Sequence, residues 1–149
     1  MTTSRWASFP ELTGLDVHDM LALRCQVFVA EQRCAFREID GRDPEAVHLL
    51  LRGGDGRLEG TLRVFAPDGH DGAARIGRIA TAPHARGRGL GHALMREALA
   101  FCAARFPGRP VDLSAQEHLA AFYGGHGFSV VSPSYLEDDI PHVDMRRPA

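Results

Sequence analysis

The chain has 149 residues, one domain's worth, of which 44% are hydrophobic and 24% charged. That is enough to bury a core without disulfide or metal staples. The formal net charge of −2 gives no footprint for nucleic acid, no apolar run reaches the roughly 20 residues of a membrane helix, and no apolar leader opens the chain. A cytoplasmic protein with neither nucleic-acid nor membrane partners is expected.

The first predicted element is a helix from about Leu15 to Glu31. Thr13 can cap it, with Asp16 three residues later as the acid of a capping box. Val17, Met20, Leu21, Val27 and Phe28 share its apolar face. Cys34 to Pro44 is acidic and carries the turn signal Asp40-Gly41. The period then changes. Ala46 to Leu51 and Arg57 to Ala66 read as a hairpin around the turn at 53–56, and Arg75 to Thr81 as a third strand. A second helix runs from Leu90 to about Phe106, with Leu90, Leu94, Ala98 and Phe101 as its buried stripe. Pro107-Gly108 stops it. Val111 to Ser114 is a strand, Glu117 to Tyr123 a short helix, and Phe128–Val131 and Ile140–Arg146 two last strands. This order implies an α/β domain with a mixed sheet.

Two composition facts narrow the chemistry. Cys25, Cys34 and Cys102 are an odd count without a C-x-x-C pair, which fits buried free thiols in a reducing compartment. All 17 basic residues are arginine. Lysine nucleophiles and lysine Schiff bases are therefore excluded.

The glycine-rich stretch ARGRGLG, residues 85–91, opens the second helix. Bare backbone lets a ligand approach closely, and a helix N-terminus supplies unpaired N–H groups and a positive dipole end. Together they make a phosphate or pyrophosphate cradle. The alternative is a glycine-rich turn with no ligand. The Walker pattern fails for want of a lysine. The dinucleotide fingerprint G-x-G-x-x-G fails because His92 stands where its last glycine belongs.

The segment TAPHARGRGLG, residues 81–91, resembles the acyl-CoA-binding signature of the GNAT superfamily of N-acetyltransferases, Gln/Arg-x-x-Gly-x-Gly/Ala after a strand. QEHLAAFYGGHGF, residues 116–128, is similar to the family's second signature, a short helix ending in tyrosine followed by Gly-Phe. Gln116 stands where the family usually has Asn. RCQVFVAEQ (24–32), EIDGRD (38–43), His48 and IPHVDM (140–145) resemble the ElaA-like subgroup.

The resemblance implies a single GNAT domain over residues 1–149. Its fold would be a twisted mixed α/β (α+β) sheet of about six to seven strands flanked by helices. The strands at 75–81 and 111–115 would splay apart in a V that admits the pantetheine arm. Acetyl-CoA would be the cosubstrate, with no metal: His142-Val-Asp144 offers too few ligands for one. Backbone groups of Ile79 and Thr81 would pair with the pantetheine amides. The N–H groups of Gly87, Arg88, Gly89, Leu90 and Gly91 would hold the pyrophosphate. Arg86 would add charge; Arg88 would either do so or be a solvated arginine.

Transfer of an acetyl group to an amine needs a base for the amine proton, a donor for the oxyanion and an acid for the leaving thiolate. By resemblance Tyr123 is the acid, against a purely packing role. His142 is the first candidate base, against a structural histidine; Glu31, Glu38, His48 and Glu137 are rivals, and a bound water could serve instead. Glu38, Asp40 and Asp43, with EDD at 137–139, would frame the acceptor mouth and concentrate cations. The acceptor would be a small cationic amine or a protein amine, and the assembly a monomer or homodimer. The main alternative from another class is a non-catalytic acyl-CoA-binding module, and a nucleotide-binding protein is a third.

Overall fold

The computed structural model describes residues 1–33 and 38–149. The expectations that fall on Cys34 to Arg37 lie outside these residues. The elements are β1 (Thr3–Ser8), α1 (Gly14–Arg24), β2 (Val47–Arg52), β3 (Leu58–Phe65), β4 (Ala74–Thr81), α2 (Leu90–Arg105), β5 (Val111–Gln116), α3 (Ala120–Gly124), β6 (Ser129–Val130), β7 (Tyr135–Glu137) and β8 (Ile140–Arg147). The strands form one open sheet in the order β1-β2-β3-β4-β5-β8-β6, with β7 pairing β8. All pairs are antiparallel except β4 with β5. Among the described residues the sheet therefore has eight strands, one more than the upper expectation.

The first helix begins at the expected cap. Thr13 Oγ1 accepts from Asp16 N–H and Asp16 Oδ2 accepts from Thr13 N–H, both at 3.0 Å. It does not run to Glu31 as an α-helix. Regular α-turns end at Arg24, and wider π-type turns carry the chain over Cys25–Glu31. Such turns are frequent at functional sites.

β3 is buried along nearly its whole length, because both of its faces are covered. Gly60 faces Leu94 of α2, whose methyl would lie 3.2 Å from an added β-carbon. Arg63, three residues on and so on the opposite face, donates to Asp43, which also holds Arg24 of α1. The same division repeats at the sheet edge. Trp6 stacks on Phe101 of α2 at 4.0 Å, while Arg5 pairs with Asp16 of α1 at 2.6 Å. Helices α1 and α2 thus cover opposite faces. The core fills the space between them, with Met20, Leu49, Leu62, Ile76, Leu94, Met95 and Leu113 all under 2% exposed.

Candidate active site

A cavity of about 400 Å³ opens on the α1 face, where β4 and β5 part. The two strands pair only at Ala74↔Val111 and Arg75↔Asp112. Beyond Arg75, the edge of β4 that faces β5 has no strand partner among the described residues. Two features drive the parting. β5 is drawn to β8 over its whole length, from Val111↔Arg147 to Gln116↔His142. On its other side β4 carries a bulge: Thr61 pairs with Ala80 and Arg63 with Gly77, leaving Arg78 and Ile79 without partners in β3. Arg78 takes φ +51°, a left-handed conformation uncommon outside glycine. The bulge re-aims the backbone at the mouth of the V. Ile79 and Thr81 line the cavity there, as do Gln116 and Tyr123 on the opposing side.

The glycine loop leads away from this edge. After the tight turn Pro83–Ala85 the chain passes Gly87 (φ +84°) and Gly89 (φ +74°), and α2 begins at Leu90. A β-carbon at either glycine would meet nothing within 4 Å, so both face open space. Gly89 is the N-cap and offers no side-chain cap, and its carbonyl accepts from Ala93 N–H as the helix starts. The N–H groups of Leu90, Gly91 and His92 therefore have no intrahelical acceptor. They sit at the positive end of a 16-residue helix. Open space, bare N–H groups and a dipole end are what a pyrophosphate requires. Gly91 has a different role. Its β-carbon would press on Phe122 Cζ at 3.3 Å, so it is small to let α3 pack against α2.

Residues 19–148 match the acetyltransferase (GNAT) domain family. The chain belongs to the GNAT acetyltransferase family. It is similar to an acyl-CoA N-acyltransferase of Pseudomonas aeruginosa, with a TM-score of 0.93 and 43% identity over 99% of each chain. The crystal structure of Escherichia coli ElaA superposes with a TM-score of 0.92 and 36% identity over 99% of each chain. By sequence, ElaA is 38% identical over 92% of this chain and 90% of its own. A UPF0039 protein of Schizosaccharomyces pombe is 39% identical over 93% of this chain and 91% of its own. These relatives bear out the GNAT fold and the ElaA-like subgroup.

Within this GNAT domain the residues singled out in the sequence separate into groups. Tyr123 is 7% exposed and lines the cavity. Among the described residues its hydroxyl has no hydrogen-bond partner. Burial pushes its pKa up to about 12, so it keeps its proton at neutral pH. His142 lines the same cavity, opposite Gln116. Its Nδ1 lies 2.7 Å from the Ile140 carbonyl, an acceptor, which places the ring proton on Nδ1. That leaves Nε2 as the nitrogen able to take a proton, 3.4 Å from Glu137 Oε2.

Of the rival bases, Glu137 lines the cavity beside His142, and the other three fall elsewhere. Glu31 does not line the cavity; it is a two-point partner of Arg86, at 3.0 and 2.7 Å. The Arg86 hydrogen bonds hold its pKa below the usual carboxylate range, which makes it a poor proton acceptor. Glu31, a catalytic candidate in the sequence, is thus placed beside the glycine loop's Arg86 and outside the cavity lining. His48 is 1% exposed on β2 and bonds the Asp43 carbonyl at 2.9 Å; burial lowers its pKa. Glu38 is 4% exposed and bound to Arg24.

Both loop arginines are engaged. Arg86 bonds Glu31 and the Thr81 carbonyl, and Arg88 bonds Glu59 at 2.8 Å. Arg86 lines the cavity, whereas Arg88 points back to β3.

The acidic stretch is also not what its charges suggest. Arg24, 1% exposed, donates to Glu38 and Asp43, both at 2.7 Å. Arg63 donates to Asp43 at 2.9 Å and grips Asp40 at 2.6 and 3.1 Å. Arg78 lies 3.3 Å from Glu38. Hydrogen bonds from Arg63 hold the Asp40 carboxyl well below its usual pKa despite partial burial. Burial opposes the charge on Asp43, but Arg24 and Arg63 outweigh it and lower its pKa too. Instead of an open field of carboxylates, Glu38, Asp40 and Asp43 form an arginine-bound brace between α1 and the sheet. Of the acidic segments, Asp40, Glu137 and Asp138 line the cavity. Among the described residues no group of three or more His, Cys, Asp or Glu side chains stands as a metal site. No helix among them is long and apolar enough to cross a membrane.

Arg75 and Ser114 of the cavity wall, and Tyr135 beside them, carried no sequence signal, and Asp144 was weighed only with His142 as a metal pair. Arg75, Ser114, Tyr135 and Asp144 form a hydrogen-bonded row: Arg75 donates to Ser114 Oγ at 2.8 Å, and Ser114 and Tyr135 donate to Asp144 Oδ1 at 2.9 and 2.6 Å. They come from β4, β5, β7 and β8, and only pairing of those strands brings them together.

Proposed function

We propose that the protein is an N-acetyltransferase that moves the acetyl group of acetyl-CoA directly to a primary amine bound in the same cavity. One observation carries this reading. The unpaired edge of β4 runs from the cavity that Tyr123 and His142 also line to a glycine loop with bare helix N–H groups. That is a path for an amide-containing arm ending in phosphates. Ile79 and Thr81 offer backbone partners to the arm, and the N–H groups of 87–91 take the pyrophosphate. Gln116 borders the arm on the β5 side. The thioester supplies an activated acetyl group.

His142 Nε2 takes the proton shed by the amine. Glu137 stands where it stabilises the imidazolium so formed. The amine nitrogen bonds to the acetyl carbon, the C–S bond breaks, and Tyr123 gives its proton to the departing sulfur. An N–H at the β4 bulge faces the carbonyl oxygen as charge develops there. The acceptor is a small-molecule or protein amine, and Glu137 and Asp138 favour the positively charged form at the cavity mouth. The protein acts in the cytoplasm without nucleic acid or membrane, as a monomer or homodimer.

The test is kinetic. Tyr123→Phe should lower kcat by about 10²–10⁴-fold while leaving acetyl-CoA affinity unchanged, since general acid catalysis contributes on that order. His142→Ala should abolish the protonation that governs kcat/KM against pH. An unchanged kcat removes Tyr123 from its role, and an unchanged pH profile at the unmutated rate removes His142.

A further inference from the structure

The cavity is lined by five arginines, Arg42, Arg63, Arg75, Arg78 and Arg86, an unusual wall for a site that receives a cation. Four of them face carboxylates of the chain: Arg63 on Asp40 and Asp43, Arg78 on Glu38, Arg86 on Glu31 and Arg42 on Glu45. Arg42 stacks over Phe65 at 4.2 Å and lies 3.5 Å from Glu45. Arg75 differs. Among the described residues it has no ion pair within 4 Å, and its one hydrogen bond is to a neutral oxygen, Ser114 Oγ. A guanidinium has five donors, so four remain for a ligand.

Arg75 is also held in place. The Ser114 and Tyr135 hydroxyl protons both go to Asp144, so the Ser114 oxygen is left to accept from Arg75. Hydrogen bonds from Tyr135 and Ser114, with the nearby charge of Arg75 itself, outweigh partial burial and lower the pKa of Asp144, so the carboxylate reaches Arg75 through Ser114 and leaves the guanidinium without a direct ion pair. The row thus anchors one corner of an exposed guanidinium that lines the cavity, and its other donors remain for a ligand there.

The strand register sets the distance to the chemistry. Ser114 lies opposite Asp144, and Gln116, one pleat on, lies opposite His142. Two residues along a strand span roughly 6–7 Å. An acceptor whose amine meets His142 would therefore bring a group one pleat away up to Arg75. A planar fork of N–H donors matches a carboxylate. We infer that the acceptor amine carries a carboxylate bound by Arg75, so that the substrate class is amino acids, with Glu137 and His142 at the amine end. This inference rests on the acetyltransferase reading and specifies its acceptor.

The experiment pairs amino acids of increasing amine-to-carboxylate spacing with their carboxamides, each at a pH giving the same fraction of free amine. CoA release from acetyl-CoA is followed with the full chain. The unmutated protein should favour at least one acid over its amide by tenfold or more in kcat/KM, chiefly through KM. Arg75→Gln should bring that ratio to about one, and Arg75→Lys, which keeps charge but not the fork, should restore only part. Equal use of acids and amides, or a ratio unmoved by Arg75→Gln, overturns the inference.

A second readout does not depend on turnover. With CoA present, the preferred acid but not its amide should raise the melting temperature, and Arg75→Gln should abolish that rise. Absence of CoA release on every amine would sink the acetyltransferase reading. Absence of any acid-specific stabilisation would by itself sink the Arg75 site.

Discussion

Two glycines at the start of α2 should respond differently to the same substitution. Gly89 has φ +74° and sits where α2 begins. An alanine held in that left-handed conformation costs about 1–2 kcal/mol. For a chain of this length each kcal/mol moves Tm by roughly 2–4 °C, so Gly89→Ala should melt about 2–8 °C lower. Any relaxation toward negative φ would turn the N–H groups of the loop, and acetyl-CoA should then stabilise the variant less. Gly91 lies inside the helix, and alanine there gains up to about 1 kcal/mol of helix propensity. Against that gain, Phe122 must yield a few tenths of an ångström from 3.3 Å. The net should stay within about 1 kcal/mol of zero, with the acetyl-CoA response retained. Thermal melts of both variants, with and without acetyl-CoA, read all four values. If Gly91→Ala loses as much stability and ligand response as Gly89→Ala, the division of roles between the two glycines is wrong.

Three further outcomes follow from the structure. Arg24→Met removes a guanidinium that is 1% exposed and strands Glu38 and Asp43 without it; unfolding in urea should show a loss of about 3–5 kcal/mol, and a loss below about 1 kcal/mol would mean that the brace is not tightly coupled. Asp16, Asp40 and Asp43 have folded-state pKa values below their ordinary ones, so their contribution is fully present above about pH 4 and is lost as pH falls from there towards the folded values. Stability should accordingly hold near neutrality and fall steeply below pH 4, less steeply in Asp40→Asn; identical acid limbs would contradict this. Cys25 is exposed, whereas burial pushes the Cys102 thiol up to about 11, so mass mapping after a thiol reagent at pH 8 should find Cys25 modified well before Cys102.

Most of the fold could be read from local pattern. The Thr13–Asp16 box, the hairpin around 53–56, the glycine loop and the stripe of α2 each announce themselves within a few residues. What escaped depends on partners distant in sequence. β1 is exposed over much of its length and forms because β2 pairs with it and Trp6 finds Phe101. β7 is three residues, and its link to β8 turns on Asp138 and Asp139, both at positive φ, where Asp-Gly or Asn-Gly would have been the stronger signal. The bulge at Arg78 places an arginine in a glycine-like conformation, which no propensity reveals. The acidic stretch misled for the same reason. Charges at 38–43 look solvated in sequence, because the arginines that bury them lie on α1, β3 and β4. At the site, Tyr123 and the glycine loop were legible through their motifs, and the Arg75 row was not, since only Asp144 of its four members lies in one.

The most direct test of the central claim is acetyl-CoA-dependent release of free CoA thiol on a panel of primary amines, with purified full-length chain. The account predicts amine-dependent release, formation of the N-acetylated product in equal amount, and loss of turnover but not of acetyl-CoA binding in Tyr123→Phe. Tight acetyl-CoA binding without release on any amine would contradict it and point to a non-catalytic acyl-CoA-binding module.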